Sequence, residues 1–227
     1  MLCVSFFSQG TLAELGHAAF ARQTLAGGNY ELLRCSSAQL DEVGEGTVCD
    51  FEPRPSFYVA LLWSRLMDRR SLGVDMPSDA DPRANQFLRV HANCYAGASG
   101  HAGGSSGNGS VAFSVSNSFE PGFDAGGALS FRVSFVGPGG AMDLGGTRLD
   151  YLLQSANASA GIFSQSVALN GGAPLQVAPG DAQGAAAALP ALAPAVVTGS
   201  AAAAALILPP STVGFVVFPD ARVPACM

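Results

Sequence analysis

The chain has little charge, a single tryptophan and no long apolar run, and these shortages narrow what it can do. Charged residues make up 12% of its 227 positions, and 11 basic against 17 acidic residues leave a net charge of −6. Phosphate contacts need a basic face, so a nucleic-acid backbone is not an expected partner. No apolar run reaches the roughly 18 to 20 residues that a transmembrane helix requires. Leu2 to Phe7 is too short and lacks the basic flank of a signal peptide, so the start at Met1 gives no address. The five cysteines, Cys3, Cys35, Cys49, Cys94 and Cys226, form no Cys-x-x-Cys pair and are too scattered for a zinc site of the usual spacing. Neither a metal ion nor a cofactor is expected.

Hydrophobic residues, by contrast, reach 48%, ample for the core of one large domain or two small ones. Cys94 and Cys226 differ from the other three cysteines in that each closes a strand-like apolar run. A bridge between them would close a loop of about 130 residues, for which chain entropy gives at most about 5 kcal/mol. Such a bridge would imply an oxidising compartment.

Along the chain, Thr11 and Glu14 have the spacing of a capping box with Leu12 and Leu15 behind them, which predicts a short helix ending near Gly16. A strand is expected over Phe20 to Leu25. It runs into Gly27-Gly28, whose bare backbone can turn with positive φ and be approached closely by a ligand, and then into Asn29 and Tyr30, which add an amide and a phenol. Taken alone, that pattern is a turn. The polar stretch with Asp41, Glu42, Glu45 and Asp50 ends in Phe51-Glu52-Pro53-Arg54-Pro55, which cannot lie inside a helix and reads as a loop. Ser56 begins the clearest helix, with Val59, Leu62, Trp63, Leu66 and Met67 at the spacing of a buried stripe, and Trp63 belongs to that core rather than to a ligand site.

From Ser71 onward the period changes to short strand-like runs separated by glycine and proline. These are Phe87 to Ala92, Ser110 to Val115, Ala128 to Phe135, Tyr151 to Leu153, Gly161 to Leu169 and Thr212 to Phe218. The pattern predicts an antiparallel sandwich or barrel rather than a repeat of strand and helix. The Gly/Ser-rich Gly97 to Gly109 and the alanine-rich Gln183 to Ala205 are expected as surface excursions, with a helical turn allowed over Ala201 to Ala205. Asn108-Gly-Ser110 and Asn157-Ala-Ser159 fit the glycosylation sequon, for which chance occurrence is the plainer reading.

Several stretches, in order, resemble the C-terminal part of heparanase and the plant heparanase-like proteins, glycoside hydrolase family 79. Arg22-Gln-Thr-Leu-Ala-Gly-Gly-Asn-Tyr30 resembles the last barrel strand and its loop. Ser56-Phe-Tyr-Val-Ala-Leu-Leu-Trp-Ser-Arg-Leu-Met67 resembles the final barrel helix, in a plant-like form that suits a photosynthetic lineage. Leu88-Arg-Val-His-Ala-Asn-Cys94 resembles the strand with the family's first bridging cysteine. Tyr151-Leu-Leu, Gln165-Ser-Val-Ala-Leu-Asn-Gly171, Leu189-Pro-Ala-Leu192, Gly214-Phe-Val-Val-Phe218 and Val223-Pro-Ala-Cys226 complete the series.

The resemblance implies a mainly β chain with some α. Residues 1–70 would be a remnant of a (β/α)8 barrel carrying its last strand and helices, and residues 71–227 an antiparallel β-sandwich domain. It implies a retaining endo-β-glucuronidase, whose chemistry needs two carboxyl groups about 5 to 5.5 Å apart. Both family glutamates lie upstream of the first matching residue, so no catalytic residue is assigned in this chain, which looks like the C-terminal part of an enzyme through truncation or an incomplete gene model. Glu14, Glu31 and the acids from Asp41 to Asp50 are structural or solvated instead.

What carries over is binding. Gly28, Asn29 and Tyr30 would contact the sugar and its carboxylate, with the Gly28 N–H and the Tyr30 hydroxyl as donors and no lysine or arginine nearby. Cys94 and Cys226 match the family's disulfide. The implied partners are an acidic polysaccharide or glucuronide substrate and the missing N-terminal barrel portion. The implied location is secreted, at the cell wall or in the lysosome or vacuole, with association to a membrane surface left open. The connection from Leu15-Gly16 to Arg22-Gln23 is shorter than the family's, and the Gly/Ser and alanine-rich insertions mark a divergent member. A different class of function is a noncatalytic sandwich module that binds carbohydrate or protein.

Overall fold

Residues 212–218, Thr-Val-Gly-Phe-Val-Val-Phe, form a strand in which every residue is buried. β-branched and aromatic side chains on a pleated backbone suit an interior that is covered on both sides. The computed structural model describes residues 10–17, 25, 31–35, 51–76, 82–97, 109–119, 127–137, 140–178 and 188–227. Its strands begin with β1 (Leu33–Cys35), β2 (Phe51–Pro53), β3 (Met67–Leu72), β4 (Leu88–Tyr95) and β5 (Val111–Asn117). They continue with β6 (Leu129–Phe131), β7 (Phe135–Gly137), β8 (Gly140–Met142) and β9 (Thr147–Ser155). The last four are β10 (Val167–Leu169), β11 (Ala195–Thr198), β12 (Leu206–Leu208) and β13 (Thr212–Phe218). The helices are α1 (10–14), α2 (Pro55–Leu66) and α3 (Pro82–Phe87).

The main sheet has seven strands in the order β10-β9-β13-β5-β4-β3, with β11 also on β9. The strands of this sheet pair antiparallel. β9 is long enough to hold two short neighbours on one edge, β11 against residues 147–150 and β10 against residues 153–155. At the opposite edge β3 reads Met-Asp-Arg-Arg-Ser-Leu, and charges on an edge strand discourage pairing with another chain.

Alternation along the central strands sends side chains to two cores. On one face Val213, Phe215 and Val217 of β13 and Tyr151 and Leu153 of β9 pack under Tyr58, Val59, Leu62 and Leu66 of α2. On the other face Val216 and Phe218 join Phe113 and Val115 of β5 under Leu129, Leu206 and Leu208. Those last three residues belong to β6 and β12, a separate antiparallel pair lying over the sheet. The architecture is therefore mainly β and antiparallel, as expected. Among the described residues no closed barrel is present; the long sheet is covered by a helix on one side and by two-stranded pairs on the other.

Several boundaries move. α2 starts at Pro55, a residue suited to the first helical turn, and it stops at Leu66, so that Met67 is buried as the first residue of β3. Trp63 is half-buried, edge to face with Phe215, which places it in the core as predicted. The expected strand Ala128 to Phe135 splits into β6 and β7. The expected strand Gly161 to Leu169 keeps only β10, because Ala158–Phe163 forms a 3-10 segment. The Asn170-Gly171 turn is present: both residues have positive φ, and the Gly172 N–H donates to Leu169 O over 3.0 Å, the geometry of a tight hairpin. The expected strand Phe20 to Leu25 lies outside the described residues except for Leu25, and Asp41 to Asp50 lie outside them entirely.

The alanine-rich stretch is not a surface excursion at its C-terminal end. β11 is part of the sheet, and Ala202 is 1% exposed. Arg148 explains why: its guanidinium pairs with Asp150 through two contacts of 2.8 and 2.9 Å and donates to the carbonyls of Ala202 and Ala204 at 3.2 and 2.9 Å. A buried ion pair is tolerated only when its remaining donors are used, and this turn uses them.

The C-terminal residues are fastened in four places. Cys94 and Cys226, each 1% exposed, are joined by a disulfide with their Cα atoms 5.3 Å apart. The Arg70 guanidinium donates to Ala225 O, Ser110 Oγ to Pro219 O, and the Val223 N–H to Gly109 O at 2.9 Å. Gly109 has φ +85, and a Cβ there would sit 2.8 Å from Arg222 Cα. Gly109→Ala is thus expected to lower stability by about 1 to 3 kcal/mol, read by urea unfolding. Reducing the disulfide, which closes a 132-residue separation, is expected to lower stability by up to about 5 kcal/mol. Equal melting temperatures with and without reductant would contradict that.

Candidate functional site

Gly28, Asn29 and Tyr30 lie outside the described residues, but the chain on either side of them is placed. Leu25 O accepts from the N–H groups of Leu32 and Leu33 at 3.1 and 2.8 Å, so Leu25 is held against the start of β1. β1 then pairs with β2, and the Arg54 N–H donates to Leu32 O at 2.8 Å, which carries the ladder to the start of α2.

This pairing assembles a polar cluster beside β1 and β2. Arg54 Nη2 lies 3.4 Å from Glu31 Oε1, and the Nη1 groups of Arg54 and Arg34 both donate to Gln165 Oε1, the latter at 2.9 Å. Two guanidinium groups converge on one amide oxygen, with Glu31 beside Arg54 and Glu52 directly across the strand pair from Arg34, so the cluster holds two positive and two negative groups. Arg34 and Arg54 thus stand together in the pairing that follows residues 26–30. The sequence hides them because Arg34 and Arg54 come together only through the β1–β2 pairing, and Gln165 arrives from a segment more than a hundred positions away.

The capping-box expectation also changes. Thr11 lies inside α1 rather than before it, and Glu14 does not turn back to a cap. Its Oε1 instead meets Nδ1 of His91, a buried residue of β4, at 2.7 Å. His91 stands opposite Ser114 of β5 on the face that α2 covers. Near it the interior is imperfectly satisfied: Tyr58 Oη, Ser114 Oγ and Ser116 Oγ are buried without a hydrogen-bond partner. Burial pushes the Tyr58, Tyr95 and Tyr151 phenols above their ordinary value; at Tyr151 the Tyr95 phenol adds to this and Arg65 opposes it.

A concavity of about 470 Å³ lies on the opposite face of the main sheet. Leu88, Val90, Ala92 and Phe113 form its floor and residues 130–136 one wall, with Asp75 and Arg132 among its polar groups. Asp75 is the one carboxylate among the described lining residues, so this hollow offers apolar contact rather than a pair of acids. Among the described residues, no group of three or more His, Cys, Asp or Glu side chains could hold a metal ion, and no helix is long and apolar enough to cross a membrane.

No family model matches the chain. Heparanase-like protein 1 of Arabidopsis thaliana is 38% identical over 91 residues, which is 40% of this chain and 13% of that protein. The chain thus spans a small part of the relative's length, and the match supports a relationship to heparanase-like proteins.

The buried phenols give a test of the α2 face. Above pH 10 an unfolded tyrosine loses its proton while the buried one keeps it, so the native state binds more protons and stability falls as pH rises. Tyr58→Phe removes a hydroxyl that has no partner. It is expected to leave stability at pH 7 unchanged or raised by up to about 1 kcal/mol, and to lessen the alkaline loss, as read by thermal melts at pH 7 and 10.5.

Proposed function

We propose that this chain is a C-terminal portion of a heparanase-like glycoside hydrolase that cleaves β-glucuronide linkages. In this reading its sheet is one half of a β-sandwich beside a (β/α)8 barrel, and residues 1–70 supply the barrel's last strand and helix. The observation that carries the proposal is the 38% identity over 91 residues to a heparanase-like protein. Retaining hydrolysis uses one carboxyl as acid and base and a second as nucleophile, about 5 to 5.5 Å apart. Among the described acids, Glu14 contacts His91, Glu31 contacts Arg54 and Asp150 contacts Arg148. By the resemblance, the two catalytic carboxyls would come from barrel strands outside these 227 residues.

The role left to this chain is recognition. The Gly28 N–H and the Tyr30 hydroxyl would donate to the sugar carboxylate, with Asn29 beside them. Arg34 and Arg54, held in the β1–β2 pairing that follows these residues, carry guanidinium groups of the kind that match carboxylates in both charge and shape. The disulfide supports passage through an oxidising compartment, and with it a place outside the cell, at the cell wall or in the vacuole or lysosome. The competing reading is a noncatalytic module that binds carbohydrate or protein.

An open frame upstream of Met1 that encodes six more barrel units and two glutamates at strand ends would support the enzyme. A stop codon close to Met1 together with a mapped transcript start would favour the module. In the full-length parent, Tyr30→Phe is expected to lower kcat/KM for glucuronides about tenfold or more, the loss of one hydrogen bond to a charged group. Unchanged kinetics would remove Tyr30 from the site.

A further inference from the structure

We propose that Asn157 is an N-glycosylation acceptor, and that the fold selects it over the second sequon at Asn108. Asn157 lies where the chain leaves β9 for the 3-10 segment, and both it and Ser159 are exposed. Its Oδ1 accepts from the Ser159 N–H at 3.2 Å and from Ser159 Oγ at 2.7 Å. Ser155 Oγ accepts from the Asn157 N–H at 3.2 Å and donates to Asn157 O, which sets the turn from the other side. Asparagine and hydroxyl, the two groups the sequon requires, are thus held together on the surface, and Nδ2 donates to nothing among the described residues. The intervening residue is Ala158, not proline.

The second sequon is treated differently by the fold. Ser110, its hydroxyl residue, is 1% exposed, and its Oγ donates to Pro219 O under the C-terminal segment. Gly109, the middle residue, is buried against Arg222 and Val223. In the folded chain the hydroxyl that recognition of Asn108 needs is therefore covered, while the Asn157 turn stays in water, so transfer that follows folding would favour Asn157. The buried Cys94–Cys226 bridge is an independent sign of the oxidising compartment in which such transfer takes place. The inference rests on the secretory part of the proposed function and not on hydrolysis.

The step is a group transfer from a polyprenyl-diphosphate oligosaccharide on a membrane-bound transferase. Nδ2 forms a bond to C1 of the first sugar, and the C1–O bond to the diphosphate breaks. The diphosphate leaves with the electron pair, and one Nδ2 proton passes to a base of the transferase.

The test is translation of the full chain behind a heterologous signal sequence with microsomes that glycosylate a control protein. One mobility shift reversed by peptide N-glycosidase is expected. It should be lost in Asn157→Gln and Ser159→Ala and kept in Ser159→Thr and Asn108→Gln. Peptide mass spectrometry should then place the modification at position 157. No shift, or a shift that survives Asn157→Gln, overturns the proposal, and modification at Asn108 as well overturns the selection by the fold. The signal is supplied, so these outcomes do not depend on the parent's own targeting, and a nonreducing gel reports the Cys94–Cys226 bridge in the same sample.

Discussion

Two adjacent strands buried on both faces are the constraint that organises this molecule. Every residue of β5 and β13 is buried, and neither strand can be left with one face in water. Apolar residues on each face must be covered, and the covers come from distant parts of the chain, α2 from one side and the β6–β12 pair from the other. Placing those covers fixes much else. β12 can lie across the sheet only if the segment before it is anchored, and the Arg148–Asp150 pair supplies that anchor through the carbonyls of Ala202 and Ala204. The ion pair is costly to bury, but the hydrogen bonds it makes to backbone are ones that would otherwise be lost.

The same constraint separates the two faces chemically. The face under β6 and β12 is apolar and is closed by the bridge between Cys94 and Cys226. The face under α2 becomes polar toward β4, where His91, Ser114 and Ser116 replace the valines and phenylalanines found nearer β9. Glu14 reaches His91 there, which ties α1 to the sheet by a charge-assisted contact.

How much of this could be read from the sequence depended on how local the cause was. Thr212 to Phe218 was legible to the residue, because a strand buried on both faces is a continuous apolar run between turn residues. Asn170-Gly171 was legible because positive φ at two successive positions selects that pair. The start of α2 was legible within a residue, since proline can open a helix but not continue one. What was missed has long-range causes. Nothing near Ala195 says that four residues of an alanine-rich segment will pair with β9, and nothing near Thr11 says that Glu14 will find a histidine 77 positions away. The cysteine pairing became legible through the resemblance, which supplied the partner that spacing alone left open. Arg34 and Arg54 were not legible as neighbours, because they meet across a strand pairing that no local pattern announces.

The same pairing sets what the arginine cluster can do chemically. The carboxylates of the cluster, Glu31 at 3.4 Å from Arg54 and Glu52 opposite Arg34, balance the two arginines. An arginine keeps its charge at any pH at which the protein is folded, so it cannot shuttle protons, but it can hold an anion in register. The Arg34–Arg54 cluster is therefore suited to holding an acceptor and not to moving a proton. That is what it does in this fold: it ties the β1–β2 pairing to the segment before β10 through one amide oxygen of Gln165.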